Sequence, residues 1–265
     1  MKVRLPSRIA CLSTETVEVL YDLGEEARIV GISGFTVHPP RARKEKPKIS
    51  GFSSAKIDHI LAVDPDLVLA FSNLQAGMVA ELIKAGVEVH HFNQRGVEDI
   101  LAMVETVGRL VGAQDRAAHL VAELEDCIAT AKAAAARRSR QPRVYFEEWT
   151  DPLISGIGWV SELIAIAGGE DVFAELGRCH GAKERIIADP MEVVRRAPDI
   201  LIGSWCGKKF RSEQVAVRPG WERVPAVFSG QLHEIKSADI LAPGPAAIRR
   251  GLAQLTRILD AWAGA

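Results

Sequence analysis

The chain has 265 residues, 48% of them apolar and 25% charged, so it can bury one large hydrophobic core or two smaller ones. Its 33 basic and 34 acidic residues nearly balance, which excludes a general electrostatic attraction to nucleic acid or to an anionic membrane. No stretch approaches the roughly 18 to 20 apolar residues of a membrane-spanning helix, so we expect an ordinary globular protein without membrane insertion.

Cysteine usage and the N-terminal sequence bear on the compartment. The four cysteines are widely spaced and form no CxxC pair, which indicates neither a zinc ribbon nor a disulfide framework. A reducing compartment is the simpler interpretation. No continuous apolar core of signal-peptide length precedes the first predicted strand. We therefore expect a cytoplasmic protein, and a periplasmic one if a leader has been removed.

The first third of the chain alternates short apolar strands with helices. In chain order the pattern predicts strand 8–12, helix 14–23, strand 28–33, strand 65–70, helix 75–85 and strand 87–92. Prolines and polar residues predict irregular structure through most of 35–54, which must then lie on a surface.

Residues 96–140 have a helical pattern throughout. Apolar residues recur at helical spacing, Ala, Leu and Glu are abundant, and proline is absent. We expect one or two long helices with a break at Gly112. A helix of about 25 residues would span about 40 Å, enough to run from one lobe to another.

Pro142 restarts the alternation of strands and helices. The predicted elements are strand 143–149, a turn at 151–158, helix 159–167, helix 190–197, strand 198–204, helix 219–227, strand 232–236 and helix 245–262. Such alternation is typical of parallel sheets covered by helices on both faces.

Segments 57–71 and 190–205 are nearly the same in pattern. Each reads as a short amphipathic helix, a Pro-Asp turn and an apolar strand that ends at an aromatic residue, Phe71 or Trp205. The repeat predicts an α/β protein with two Rossmann-like lobes, 1–95 and 142–265, bridged by a long helix within 96–141. A cleft between the lobes would bind a ligand.

In open parallel sheets ligands bind beyond the carboxyl ends of the strands. Phe71, Trp149 and Trp205 follow predicted strands, and such large flat side chains suit a broad, partly apolar ligand such as a macrocycle or chelate. The alternative is that each aromatic fills a core.

The loop 203–213 combines an aromatic residue with cations directly after a buried strand. Trp205 and Cys206 are followed by Lys208, Lys209 and Arg211, an arrangement suited to gripping an anionic group or stacking on a conjugated face. The alternative is a solvated basic loop with a buried tryptophan.

The histidines show no HxH or HExxH spacing, so a dedicated histidine metal site is not indicated. In the Cys179-His180 pair, adjacent side chains would supply at most one ligand, from His180, to a metal carried inside a larger cofactor. His38, just before Pro39 and Pro40, is a better candidate for the cleft.

Catalytic motifs are missing from the sequence. There is no GxSxG elbow, no P-loop and no GxGxxG after the first strand. Glu147 and Glu148 are adjacent in a strand, so they point to opposite faces and do not form a working carboxylate pair. The open alternative is an enzyme acting on a cofactor precursor with Cys206, His180 or Glu148 in the cleft.

Taken together, these segments resemble the periplasmic binding proteins for vitamin B12 and iron siderophores, which have two α/β lobes joined by one long helix. The resemblance covers almost the whole chain and rests on 8–24, 28–33, the prolines at 39–40, 56–70, 144–173 with its GGEDVF ending, and 190–203.

The resemblance implies a substrate-binding protein that captures a cobalamin-like corrinoid or a ferric-siderophore-type chelate without chemistry on it. Phe52 and Trp149 match family aromatics that pack on a corrinoid. We expect no intrinsic cofactor, only cobalamin or an iron chelate as ligand. The predicted ligand-binding residues are Phe52, Phe71, Trp149, Trp205, Cys206, Lys208, Lys209, Arg211, His38 and Glu148, with His180 as an axial metal ligand.

Family members that dock to an ABC transporter permease carry an exposed Glu on each lobe, seven residues before the Pro of the Pro-Asp unit. Here these positions hold Asp58 and Met191, with Glu192 one place along, so the docking candidates are Asp58 and Glu192. A one-residue shift turns a side chain by about 100° around a helix. The expected role is therefore ABC-type uptake or that of a cytosolic descendant.

Overall fold

The computed structural model describes residues 5–264, which divide into two units, each built on a five-stranded sheet. Within these residues, unit 1 contains the chain up to Gln94, Glu98–Leu124 and Gly244–Ala246. Unit 2 contains Arg95–Val97, Glu125–Pro243 and the chain from Ala247 onward. The division between Gln94 and Arg95 lies beside the predicted boundary at 95. The division between Leu124 and Glu125 falls inside the predicted linking helix.

Unit 1 contains an all-parallel sheet in the order β3-β2-β1-β4-β5. Its strands are β1 Ile9–Cys11, β2 Ile29–Ser33, β3 Lys48–Ser50, β4 Leu67–Phe71 and β5 Val89–Phe92. Because all five strands run the same way, their C-terminal ends share one edge, which we call the carboxyl edge of the first sheet.

Short helices surround this sheet. They are α1 Thr14–Asp22, α2 Ala42–Glu45, α3 Ile57–Leu61 and α4 Ala76–Lys84, with single 3-10 turns at Glu26–Arg28 and Asn73–Gln75. Fully buried Leu12, Ile60, Val68 and Leu82 belong to one apolar core on this sheet. Burial of such side chains is the main favourable contribution to folding.

Two helices follow, α5 Val97–Val111 and α6 Gln114–Ala135. They are separated where the sequence predicts a break, at Gly112, whose φ is +72°. Glycine takes this left-handed conformation without the steric cost that a Cβ would add, so it ends α5 cleanly.

Unit 2 has a mixed sheet in the order β10-β9-β6-β7, with β8 also paired to β6. Its strands are β6 Arg143–Thr150, β7 Leu153–Ser155, β8 Glu170–Asp171, β9 Ile200–Gly203 and β10 Leu232–Glu234. Strand β7 runs antiparallel to β6, and the other pairs are parallel.

Unit 2 also carries many short helices. They are α7 Gly158–Ile166, α8 Ala174–Gly177, α9 Met191–Arg196, α10 Ser212–Ala216, α11 Pro225–Phe228, α12 Ser237–Ile240 and α13 Ala253–Ala263, with 3-10 turns at Ala182–Arg185 and Trp221–Arg223 and a π-helical segment Ala247–Leu252. The Tyr145 ring packs edge-on against Phe173 and Trp221, with centroids 5.5 and 6.1 Å apart. These three buried rings anchor the core of unit 2.

The sequence repeat is a structural repeat. In each unit a residue with left-handed φ precedes the proline: Asp64 at +44° and Ala197 at +43°. The aspartate after the proline then accepts a 2.9 Å hydrogen bond from a backbone N–H at the start of the neighbouring strand, Asp66 from Arg8 and Asp199 from Arg143. Proline disfavours the right-handed helical conformation for the residue before it, so neither helix continues into its proline.

Several predicted elements differ from the structure. The stretch 35–54 includes α2 and the edge strand β3. Pro47 directly precedes β3, and its missing N–H is tolerated because only its carbonyl oxygen pairs, with the N–H of Ile32. The predicted turn at 151–158 contains β7. The predicted helix 219–227 is interrupted at Val224, which is extended before Pro225.

The α/β fold class with two parallel-dominated sheets is confirmed. Within residues 5–264, no helix combines the length and the apolar character that a bilayer crossing demands.

Candidate functional site

The side chain of one buried glutamine makes hydrogen bonds to the ends of three strands at the carboxyl edge of the first sheet. Gln75 Nε2 donates to the carbonyl oxygens of Leu12 at 3.0 Å and Phe52 at 2.7 Å. Its Oε1 accepts from the backbone N–H of Phe71 at 3.0 Å. These partners follow or end β1, β3 and β4, so one amide positions the loops of this edge. The sequence analysis missed Gln75, since glutamine is usually an exposed residue.

Exposed apolar side chains lie at the same edge. Phe35 and Val37, which follow β2, are 54% and 40% exposed, and Leu74, which follows β4, is 59% exposed. Large apolar residues in loops beyond a parallel sheet are suited to contact an apolar ligand. The sequence analysis missed these three residues. Their positions directly after predicted strands were the available signal.

The predicted ligand residues of unit 1 differ in exposure. Phe52 and His38 are half-buried. Phe71, the last residue of β4, is only 4% exposed, and β4 is an inner strand that pairs with both β1 and β5. The Phe71 ring is therefore largely covered by protein, and its contact with a ligand stays a prediction.

A buried carboxyl group lies in the first turn of α1. The Glu15 side chain is 2% exposed and packs against Gly244, where a Cβ would come within 2.4 Å of the Glu15 Cβ. Burial raises the pKa of Glu15 to about 7. One turn later, Glu18 accepts a 3.0 Å hydrogen bond from the backbone N–H of Ala246. Two acidic side chains thus hold the segment 244–246 in unit 1.

In unit 2, the end of β6 carries a buried ion pair. The Glu147 side chain has no exposed surface, and Arg218 donates to both its oxygens, at 2.6 and 2.9 Å. Trp205 Nε1 and the Tyr145 hydroxyl also donate to this carboxylate, at 2.9 and 3.1 Å. Arg218 further donates to Thr150 Oγ1 at 2.8 Å. A buried carboxylate with four donors is fully paired and structural in character.

The next residue, Glu148, makes a second ion pair. Arg185 donates to its two oxygens at 2.6 and 3.2 Å and also to the carbonyl oxygen of Ser155. The Arg185 side chain is 2% exposed and that of Glu148 is 20% exposed. As expected for adjacent strand residues, Glu147 and Glu148 have separate partners. Glu148 is therefore paired with Arg185, and its contact with a ligand stays a prediction.

Trp149, the third residue in this series, interacts with the basic loop. Its ring is half-buried, and its Nε1 donates to the carbonyl oxygen of Asp151 at 2.9 Å. The Lys208 ammonium lies 4.3 Å from the ring centroid, within the range of a cation–π contact. Two residues that the sequence analysis singled out separately thus contact each other.

The basic loop is anchored at both ends. Trp205 is 4% exposed and packs edge-on against Phe210 at a centroid distance of 5.1 Å. Phe210 in turn covers Gly203, where any Cβ would clash with the ring. The Trp205 ring belongs to the apolar core of unit 2, and its contact with a ligand stays a prediction. The residues between the anchors, 206–209, are exposed.

The remaining predicted groups lie on the surface. Arg211 is exposed with Glu213 at 3.6 Å. His180 is exposed, and residues 5–264 contain no cluster of three or more His, Cys, Asp or Glu side chains able to hold a metal. Although Cys206 is exposed as a residue, partial desolvation of its thiol and the nearby Glu148 raise the pKa of that thiol, which disfavours the thiolate that a nucleophile requires.

The chain matches the family described as "Periplasmic binding protein" over residues 9–238. The chain belongs to the periplasmic binding protein family. A "Cobalamin-binding protein" of Halobacterium salinarum is 27% identical over 247 residues, which are 91% of this chain. The chain spans 66% of that relative's length.

Two solved structures share the fold along the whole chain. The periplasmic heme-binding protein RhuT from Roseiflexus sp. RS-1 superposes with a TM-score of 0.82 at 23% identity, covering 97% of this chain and 98% of that one. The periplasmic vitamin B12-binding protein BtuF of Vibrio cholerae superposes with a TM-score of 0.78 at 17% identity, with the same coverage. The resemblance found in the sequence is confirmed, and membership of a family of binding proteins does not support the enzyme alternative.

The two docking candidates differ in their surroundings. Asp58 is exposed in the first turn of α3. Glu192, in the first turn of α9, accepts from Arg196 at 2.9 Å and from Arg195 at 2.7 Å. These arginines lower the pKa of Glu192. Its charge is therefore compensated within the unit, whereas Asp58 is exposed and has no ion pair among residues 5–264.

Proposed function

We propose that this member of the family captures a large metal chelate, a corrinoid, a porphyrin or a ferric siderophore, and delivers it unchanged to an ABC transporter permease. The observation that carries the proposal is that each unit, taken by itself, presents a ligand-type surface at its strand ends. Unit 1 exposes Phe35, Val37 and Leu74 there, and unit 2 presents Trp149 with Lys208.

Unit 1 supplies an apolar surface. Exposed large apolar side chains cost solvation free energy unless a ligand or partner covers them. Phe35 and Leu74 follow strands on either side of β1, and Phe52 follows the edge strand β3. The fixed amide of Gln75 positions the Phe52 loop, so this surface is preorganised for a ligand.

Unit 2 supplies an aromatic ring with cations. Trp149 offers a flat face, and Lys208, Lys209 and Arg211 belong to one exposed loop beside it. A conjugated ligand with anionic groups at its edge would satisfy both features. The curated relatives named for cobalamin binding and the fold relatives named for heme and vitamin B12 support this class of ligand.

Titration tests the proposal directly. Purified protein would be titrated with cobalamin, cobinamide, heme and ferric siderophores while tryptophan fluorescence and the visible spectrum of the chelate are recorded. We expect saturation near one equivalent with one of these classes and recovery of the ligand unchanged by mass. Recovery of an altered ligand would favour an enzyme, and no binding by any class would refute the proposal.

A matched pair of variants locates the site. Trp149→Ala should weaken binding by about 5- to 100-fold, as expected for loss of a stacked aromatic. The control is Trp262→Ala, since Trp262 is also half-buried with a cation, Arg140, 4.4 Å from its ring centroid. It should bind as the wild type does. Equal affinity of both variants would exclude Trp149 from the site.

Delivery to a permease makes a separate prediction about Asp58. Its uncompensated carboxylate is suited to a cationic docking surface, whereas Glu192 is held by its own arginines. Asp58→Asn should lower uptake of the chelate by cells and leave the dissociation constant of the purified protein unchanged. Unchanged uptake would favour a binding protein that does not dock through Asp58.

The proposed delivery also bears on the compartment. A permease partner implies action outside the cytoplasm, as for the periplasmic fold relatives, whereas a descendant that does not dock would work in the cytoplasm. Fractionation of cells that express the native gene, followed by immunodetection, distinguishes the two. Recovery in the periplasmic fraction would support delivery.

A further inference from the structure

Three consecutive side chains at the end of β6 each hold a cation from a different segment of unit 2. Glu147 binds Arg218, Glu148 binds Arg185, and Trp149 lies beneath Lys208. The two arginines are neutralised by carboxylates. Among the described residues, Lys208 has no carboxylate within 4.0 Å, and its contact is the ring alone. Lys208 is therefore an exposed cation that no carboxylate among the described residues neutralises.

We propose that Lys208 leaves the Trp149 ring for the anionic edge of the ligand when a flat ligand stacks there, so that the site selects carboxylate-bearing chelates over neutral ones. This inference rests on the proposed function and adds the charge of the ligand to it. Lys208 acts as a specificity-determining residue.

Competition for one ring face is the physical basis. The Lys208 ammonium occupies the ring at 4.3 Å, and a stacked macrocycle needs the same space. A neutral macrocycle would displace the ammonium and lose the cation–π attraction without replacement. An anionic macrocycle would offer the displaced ammonium a charge-assisted hydrogen bond at its edge.

The structure of the loop 203–213 allows the Lys208 side chain to move from the Trp149 ring to a ligand. Buried Trp205 and Phe210 hold its two ends, and the Glu147–Arg218 pair holds Trp205 through the indole N–H. Between the anchors, Gly207 has a φ of +71° and open space on every side of its would-be Cβ. The Lys208 side chain can therefore turn without disturbing the core.

Other charged groups nearby are less suited to the role. Glu148 already pairs with Arg185, and Arg211 has Glu213 at 3.6 Å. Lys209 is exposed like Lys208 but lies on no ring in the described part of unit 2. Of these groups, Lys208 is the one whose contact with the Trp149 ring would be replaced by a contact with an anionic ligand.

The experiment uses two ligands with the same macrocycle, heme and its dimethyl ester, in which methyl esterification removes the charge of both carboxylates. Dissociation constants would be measured in the same detergent-containing buffer for the wild type, Lys208→Gln, Lys208→Arg and the control Lys132→Gln, an exposed lysine of α6. We expect the wild type to prefer heme by about ten-fold, as for one partly desolvated ion pair. Lys208→Gln should lower that ratio to about two or less, Lys208→Arg should retain it, and Lys132→Gln should match the wild type.

The outcomes separate the two proposals. If the wild type binds both ligands and Lys208→Gln leaves the ratio unchanged, the role of Lys208 is overturned while the proposed function stands. If the wild type binds neither heme, nor its ester, nor any corrinoid or siderophore, the proposed function fails and this inference falls with it. A second readout needs no ligand: Lys208→Gln should increase acrylamide quenching of Trp149, measured as the difference from the same proteins carrying Trp149→Phe. No increase would contradict the covering of the ring.

Discussion

Replacing Arg218 by Met would test whether the buried ion pair holds unit 2 together. Met keeps the length and much of the apolar contact of the side chain with Trp221, over which the guanidinium lies 4.5 Å from the ring centroid. The substitution removes two hydrogen bonds to the fully buried Glu147 and one to Thr150. The carboxylate would keep its bonds from Trp205 and Tyr145.

The expected cost follows from the burial of the remaining charge. Removing one partner of a buried ion pair typically destabilises a protein by about 3 to 5 kcal/mol, because the other charge stays desolvated. Since Glu147 retains two donors, we expect the lower part of this range, about 3 kcal/mol. Arg109→Met is the matched control, because Arg109 pairs with Glu105 in an exposed position, with side chains 63% and 48% exposed. Such a pair contributes only about 0.5 kcal/mol or less.

Urea unfolding at neutral pH, followed by tryptophan fluorescence, measures both costs. A double-mutant cycle with Glu147→Gln separates the energy of the ion pair from the packing of each side chain. We expect the destabilisation of the double variant to be about 2 kcal/mol smaller than the sum of the two single destabilisations. The reasoning is refuted if Arg218→Met costs no more than Arg109→Met, or if the cycle shows no coupling.

Three further predictions concern unit 1 and the repeated turn. Gln75→Ala should lower the free energy of unfolding by about 2 to 4 kcal/mol, because three buried hydrogen bonds are lost, and a loss below about 1 kcal/mol in urea unfolding would contradict this. For Glu15, the folded-state pKa of about 7 lies above the ordinary value of 4.5, so the folded protein binds the proton more tightly than the unfolded chain. The free energy of unfolding of the wild type, relative to that of Glu15→Gln, should therefore be greatest below about pH 4.5. It should fall by an amount on the order of 3 kcal/mol as the pH rises through 7. Parallel pH profiles of the two proteins would exclude this. Ala197→Gly should raise the free energy of unfolding by about 0.5 kcal/mol, since Ala197 has a φ of +43°, and a lower thermal midpoint would argue against strain there.

The predictable part of the fold came from local patterns. The helix break at Gly112 and the Pro-Asp repeat depend on backbone conformations that single residues impose, and both appear in the structure. The elements that were missed are short. Strands β3 and β7 lie in segments rich in Pro and Gly, and they form because a neighbouring strand offers hydrogen bonds.

The candidate site was predictable only in part. Position after a strand singles out the loops that carry Trp149 and Lys208, which contact each other in the structure, and their binding of a ligand stays a prediction. It did not distinguish exposed from buried rings, so Phe71 and Trp205 were grouped with Trp149, and Phe35 and Leu74 were passed over. Exposure of a ring depends on what packs on it, and periodicity along one strand does not contain that information.

The sequence by itself determined the α/β class, the doubled unit and the family, because these follow from periodicity, turn chemistry and local motifs. Only the tertiary structure decided which charges are neutralised and which stay available. Arg218 and Arg185 are paired with Glu147 and Glu148, residues 71 and 37 positions away, whereas Lys208 rests on a ring. Such partners are distant in the sequence, and the low dielectric of the interior makes their pairing obligatory once the chain has folded.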